Sequence, residues 1–254
     1  AWTLLAALAA ATERVTLGTS ILLANLWNPV LLAKEVATLQ RLSEGRFILG
    51  MALGAREPDF QAAGVSMKTR GRRFEETVAI VRQAAAGQPI AHQGSVFQID
   101  VGPVALPGIP VPPLWLGGFA EAAVRRAVRL GDGFLVGGRG PAYAREAVPL
   151  VRKLAAEAGR DLQTFPIAAG MYGHFDSNRD RATRTMADYI QAYYGRLIFD
   201  PPAGSIVGGV PEAVARIKEY AALDIDTLLI VPVSRDPEQV DRLAEAVAAF
   251  RQAQ

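Results

Sequence analysis

The sequence predicts an α/β fold on a parallel sheet with helices on both faces, and three observations predict it. The β-prone segments are short, apolar and unalternating, the pattern of strands buried on both faces. Each is followed by a segment with apolar residues at helical spacing, so strand and helix alternate along the chain. No shift in composition and no internal repeat divides the 254 residues, so a single domain over residues 1–254 is expected.

Composition narrows the function classes. Half the residues are hydrophobic and a fifth are charged, which excludes disordered, collagen-like and coiled-coil chains. Lys+Arg 27 against Asp+Glu 25 leaves a formal charge of +2. The isoelectric point near 9.1 reflects how few groups titrate above neutrality rather than a basic surface. No cluster of Lys and Arg with interleaved aromatics is present, so no nucleic-acid partner is expected. The absence of cysteine excludes disulfides, thiol catalysis, iron–sulfur clusters and cysteine-ligated zinc. No apolar run approaches the roughly 18–20 residues of a membrane span, and no leader pattern opens the chain. A cytoplasmic protein without a membrane partner is the expectation.

The elements follow in order. Residues 3–12 are apolar nearly all round and predict a helix buried on most of its surface. Residues 15–23 form a β-branched run of strand length. Asn28-Pro29 supplies an N-cap and an N1 proline for a helix over 29–43. A strand over 46–52, a loop over 53–70 and a helix over 71–86 come next. The stretch 88–112, with alternating Val96–Asp100 and four prolines from Pro103 to Pro112, predicts a hairpin-like excursion. Strand 113–117, helix 119–131, strand 133–137, helix 141–158 and strand 165–173 restore the alternation. A helical region 178–197, a loop 200–209, helix 211–222 with Pro211 at N1, strand 226–232 and helix 236–252 complete it.

Six strands result, fewer than the eight of a closed barrel. An open doubly wound sheet could use six, but no G-x-G-x-x-G follows any strand. In either architecture the site lies at the carboxyl ends of the strands. Only Glu57 stands there as a carboxylate, which argues against a glycosidase pair. Two isolated histidines argue against a hydrolytic metal centre. Lys34, Lys68, Lys153 and Lys218 fall in helices or loops, which argues against a Schiff-base aldolase. The strand ends are instead rich in glycine and apolar groups, suiting a flat ligand that brings its own chemistry.

Individual residues carry two readings each. Gly117-Gly118 before a helix offers amides to a phosphate, or simply turns the chain tightly. His174 at a strand end faces substrate or bonds a loop carbonyl. Arg56 and Glu57 reach substrate or pair with each other across a loop, and Trp27 walls a pocket or packs. His92 reads as structural. The Arg70, Arg72 and Arg73 group reads as a solvated face paired with Glu75 and Glu76, or as an anion contact.

The segments Ala7–Thr19, Asn28–Gly50, Asp59–Gly64, Pro113–Phe134 and Val207–Ile217, in that order and spacing, resemble the luciferase-like monooxygenases. These are flavin- or deazaflavin-dependent oxidoreductases. The resemblance implies a TIM (β/α)8 barrel, with two further βα units of about 30 residues each preceding the segment that begins here. It implies FMN or F420 as cofactor, with NAD(P)H as an external reductant in the flavin case, and a small organic substrate. Leu23, Ala24 and Asn25 would back the ring, where several members carry a non-prolyl cis peptide. Gly117, Gly118, Phe119 and Ala120 match the phosphate-binding turn, and Gly54 a glycine beside the cofactor. His174 and Arg56 are the catalytic candidates. A homodimer through helices 3–12 and 29–43 is implied as well.

Two departures bear on the reaction. The light-emitting members carry a phosphate-binding arginine where this chain has Leu53, and the sugar-phosphate dehydrogenases a glutamate where it has Ala55. A non-catalytic flavin-binding barrel is the alternative function. A non-redox phosphate-binding barrel is a third, and it would need a strand-end Lys or Glu pair not found here.

Overall fold

The computed structural model describes residues 1–105 and 108–253, in two compact units, Ala1–Gly133 and Phe134–Gln254. The first contains α1 (Trp2–Ala11), β1 (Leu17–Gly18), β2 (Leu22–Leu23), α2 (Pro29–Leu42), β3 (Phe47–Ala52), α3 (Glu57–Ala62), α4 (Arg70–Ala85), β4 (Ile90–Gln93), β5 (Gln98–Val101), β6 (Leu114–Gly118) and α5 (Glu121–Leu130). β1 and β2 both pair in parallel with β3, and β3 pairs in parallel with β6, placing Ala52 beside Gly117. Phe47, Leu49 and Met51 alternate along β3, Leu114 and Leu116 stand in register with the last two, and all five are buried on one face of the sheet.

The second unit begins within β7 (Gly133–Val136) and continues through α6 (Pro141–Glu157), β8 (Ile167–Phe175), α7 (Arg179–Tyr194), α8 (Pro201–Gly204), β9 (Ile206–Gly208), α9 (Val210–Ala221), β10 (Thr227–Pro232) and α10 (Glu238–Gln252). β8 is its central strand, pairing in parallel with β7, β9 and β10. α6 continues through Pro149, which has no N–H to give to the carbonyl four residues back.

The same device fixes the amino end of a strand in each unit. Arg82 of α4 binds Asp132 at 2.9 Å, and Asp132 accepts the Leu114 N–H at 2.9 Å. Arg152 of α6 binds Asp226 at 3.2 Å, and Asp226 accepts the Ile167 N–H at 2.7 Å. These ion pairs stand at the end opposite the strands' carboxyl termini, where stability rather than chemistry is served.

Several expectations are corrected. The strand over 15–23 is two short pieces, β1 and β2, with a cis peptide between Ser20 and Ile21 rather than at 23–25. Thr19 turns its hydroxyl to the Gly50 carbonyl at 2.8 Å in the interruption. The loop 53–70 holds α3 and a 3-10 turn at Met67–Thr69, and the loop 200–209 holds α8 and β9. Both short helices start on a proline in their first two positions, Pro58 and Pro201. Pro211 stands at N2, because α9 begins at Val210. The helix expected to be mostly buried, α1, buries only Ala9, and Leu4 is 65% exposed. β10 is half-buried, and among the described residues it pairs with β8 alone. Within 88–112, β4 and β5 form an antiparallel pair; Leu106 and Pro107 lie outside the described residues.

Candidate active site

In the first unit the carboxyl ends of β2, β3 and β6 carry the residues singled out for a cofactor. Leu23 ends β2, and Ala24 and Asn25 enter a 3-10 turn over Ala24–Leu26. The Asn25 side chain is fully buried and points into the protein. Its Nδ2 donates to the Leu53 carbonyl at 2.9 Å and the Arg70 carbonyl at 3.1 Å, while Oδ1 is buried without a partner. Asn25 therefore contributes by bracing the turn against the end of β3 and the start of α4. Gly54 follows β3 with φ +79, and a Cβ there would lie 3.2 Å from Phe60 and 3.7 Å from Leu23. Glycine alone suits both the backbone angle and the space.

Gly118 ends β6 so close to α5 that a Cβ on it would overlap the Ala123 Cβ. Ala120 is the N-cap of α5 and no side chain caps the helix; the Ala123 N–H is taken by the Ala120 carbonyl at 2.8 Å, which leaves the Glu121 and Ala122 amides for a ligand or water. Phe119 beside them is 48% exposed. Glu121, the first helical residue, is acidic, but its carboxylate is taken by Arg125 one turn on at 2.6 Å. That pair offsets the negative charge where a phosphate would otherwise be repelled.

Arg56 caps α3 and reaches Asp59 of the same helix at 3.8 Å. Trp27 packs edge-on to Trp2 of α1, centroids 6.0 Å apart. The arginine group resolves differently from its expected pairing. Arg73 serves backbone carbonyls, Arg70 binds the Met67 carbonyl, and Glu75 pairs with Arg126 and Arg129. Glu76 pairs with His92 at 3.3 Å, which gives His92 its structural role.

In the second unit, His174 lies near the end of β8, 9% exposed, with its Nδ1 buried and unpartnered. Burial pulls its pKa down; Asp176 and Asp236 pull upward and Arg181 downward. The imidazole is therefore neutral at neutral pH. Tyr172 lies two residues before it on the same face, and its hydroxyl shares a 2.8 Å hydrogen bond with that of Tyr194. Burial and that bond push the Tyr172 phenol well above its usual range. Tyr172 also stacks on Phe199. The sequence contains these tyrosines, but only the packing of α7 on β8 brings them together. Gln239 of α10, buried against the end of β8, carries no sequence signal beyond its place on an amphipathic helix.

Among the described residues, no group of three or more His, Asp or Glu could hold a metal ion, and no helix is long and apolar enough to cross a membrane.

Comparison with known proteins places this geometry in a family. An F420-dependent glucose-6-phosphate dehydrogenase of Nakamurella multipartita is 32% identical over 184 residues, 70% of this chain and 54% of that protein. The chain thus spans about half the length of the curated relatives it matches. An F420-dependent secondary alcohol dehydrogenase, solved with an F420–acetone adduct, superimposes with a TM-score of 0.85 at 19% identity. That match covers 98% of this chain and 84% of the other. A riboflavin lyase solved with modified FMN and riboflavin gives 0.79 at 18% identity, over 99% of this chain and 73% of the other. The fold is the luciferase-like TIM barrel, present in part. Residues 1–227 match the model of the luciferase-like monooxygenases, and the chain belongs to that family.

Proposed function

We propose that the protein is an oxidoreductase that binds FMN or F420 and acts on a small organic substrate. One observation carries the reading: at the end of β6, two glycines lead into an uncapped helix start whose Glu121 and Ala122 amides are left uncovered. Ala52, at the end of β3, lies in register with the first of those glycines. This cradle fits a phosphorylated ring cofactor, and the likeness to enzymes that carry one supports it. Bound there, the cofactor would supply hydride transfer or dioxygen activation.

The chain's own residues bind, orient and shield. The amides at the start of α5, reached past Gly117 and Gly118, hold the phosphate, and Phe119 and Ala120 line it. Leu23 and Ala24 back the ring, and Gly54 keeps the β3 end low enough to admit it. Asn25 holds that turn in place from behind. Arg56 is proposed as a substrate contact from the exposed start of α3. In the second unit His174, neutral and with Nδ1 unpartnered, is proposed to hold or accept a proton at that nitrogen.

The dimer is proposed on α1 and α2, where Leu4, Leu8, Leu31 and Leu42 expose apolar surface.

The test is the absorption and fluorescence spectrum of the full chain titrated with FMN and with F420. Saturable binding of one identifies the cofactor. A folded protein that binds neither overturns the proposal. Dioxygen uptake with NAD(P)H-reduced flavin then separates monooxygenation from hydride transfer.

A further inference from the structure

We propose that the β4–β5 hairpin is a positioning element for the turn at residues 24–27, acting through Arg73 and Glu76 of α4. The two side chains lie one helical turn apart and face opposite tasks. The Arg73 guanidinium donates from Nε to the Asn25 carbonyl at 2.9 Å and from Nη2 to the Trp27 carbonyl at 3.4 Å. It also lies 4.6 Å above the ring of Phe97, in the hairpin loop. Glu76 takes that loop by its backbone: the N–H groups of Ser95 at 2.9 Å, Val96 at 3.1 Å and Phe97 at 2.8 Å, and the Ser95 hydroxyl at 3.1 Å. His92 Nε2 stands 3.3 Å from the same carboxylate. A Cβ at Gly94 would overlap it, so the loop wraps the carboxylate closely.

The hairpin's strands cannot explain this grip as packing. Of β4 and β5 only Ile90 is buried, and an isolated two-stranded hairpin is marginal in water. What the grip does accomplish is to set Phe97 against Arg73. Arg73 is thereby covered on one side by a ring and satisfied on the other by two carbonyls of the turn. A cation enclosed in this way has few alternative positions, since withdrawing it leaves those carbonyls unpaired. The turn, the Leu53 carbonyl and the start of α4 are already joined through Asn25. Hairpin, helix and turn thus form one connected unit, with Arg73 and Glu76 as positioning residues.

The link from the turn to cofactor affinity rests on the proposed function; the link from hairpin to turn does not. The experiment therefore reads both in the full-length chain, comparing wild type with Glu76→Gln, Phe97→Leu, Arg73→Ala and Arg73→Lys. Amide hydrogen exchange at residues 24–27 is followed without cofactor, and FMN and F420 dissociation constants are measured by fluorescence. Glu76→Gln and Phe97→Leu, neither touching the turn, are expected to speed exchange at 24–27 about tenfold with Leu49–Met51 unchanged. Arg73→Ala exceeds both, and Arg73→Lys recovers part of the effect because it keeps the charge without the fork. Cofactor binding weakens in the same order. Wild-type exchange at 24–27 in the hairpin variants overturns the proposal, as does an equal loosening of β3. Faster exchange at 24–27 in a chain that binds neither cofactor supports the hairpin's role and overturns the cofactor reading.

Discussion

Gln239 closes both backbone hydrogen bonds of Phe175. The Phe175 N–H donates to Oε1 at 2.8 Å, and Nε2 donates to the Phe175 carbonyl at 2.9 Å. One side-chain amide on α10 thus pairs with the last residue of β8 as a neighbouring strand would. Gln239→Leu leaves two buried backbone groups unpaired, a cost of about 3 kcal/mol. For a chain of this size that lowers the thermal midpoint by roughly 6–12 °C. Differential scanning calorimetry checks it, and a shift under 2 °C would show that the pair contributes little.

Gly118→Ala forces the start of α5 away from the end of β6, because the added methyl overlaps Ala123. The strain amounts to about 1–3 kcal/mol. Displaced first-turn amides also lose aim, so cofactor binding falls by about tenfold or more. A fluorescence titration beside a melting curve separates the two effects. Binding at wild-type affinity would remove this helix start from the site.

His174 confers a pH dependence whose sign follows from its burial. The folded imidazole resists protonation, whereas the unfolded one takes a proton near pH 6.5. Stability is therefore full above that pH and declines as pH falls through it toward the lower folded value. His174→Asn is expected to flatten the stability curve between pH 7 and 5 and to lower turnover at neutral pH. Denaturant titrations at a series of pH values supply the comparison, and parallel curves for the two proteins would contradict the argument.

Leu4→Asp with Leu31→Asp places charge on the exposed apolar surface of α1 and α2. Sedimentation is expected to report a mass falling from twice 27.1 kDa to 27.1 kDa, with the melting temperature little changed. A wild-type chain that already sediments as a monomer removes the dimer proposal.

What the sequence revealed depended on how far each signal reached along the chain. β3, β6, β7 and β8 were legible because apolar runs buried on both faces need no partner to be recognised. Asn28-Pro29 marked the start of α2 correctly, since a cap acts on its own first turn: Oδ1 accepts the Val30 N–H at 3.0 Å. The break at Ser20-Ile21 was not legible, because Gly18 and Ser20 are weak signals inside an otherwise β-branched and apolar run. Asn25 was recognisable as a polar residue at a strand end, but its inward direction is set by carbonyls at positions 53 and 70. Arg73 looked like a surface charge for the same reason, its acceptors lying 46 and 48 positions away. Gln239 had no local sign at all, its partner lying 64 positions away.

Arg46, the residue just before β3, ties α1 to the sheet. Its guanidinium donates to the carbonyls of Ala9, Thr12 and Val15 and to the Thr12 hydroxyl, gathering the carboxyl end of α1. The carboxyl end of α1 is thus held by a side chain 34 positions further on, and Arg46→Ala would leave the Ala9, Thr12 and Val15 carbonyls without that donor. The most apolar helix of the first unit is thereby anchored by a distant charge.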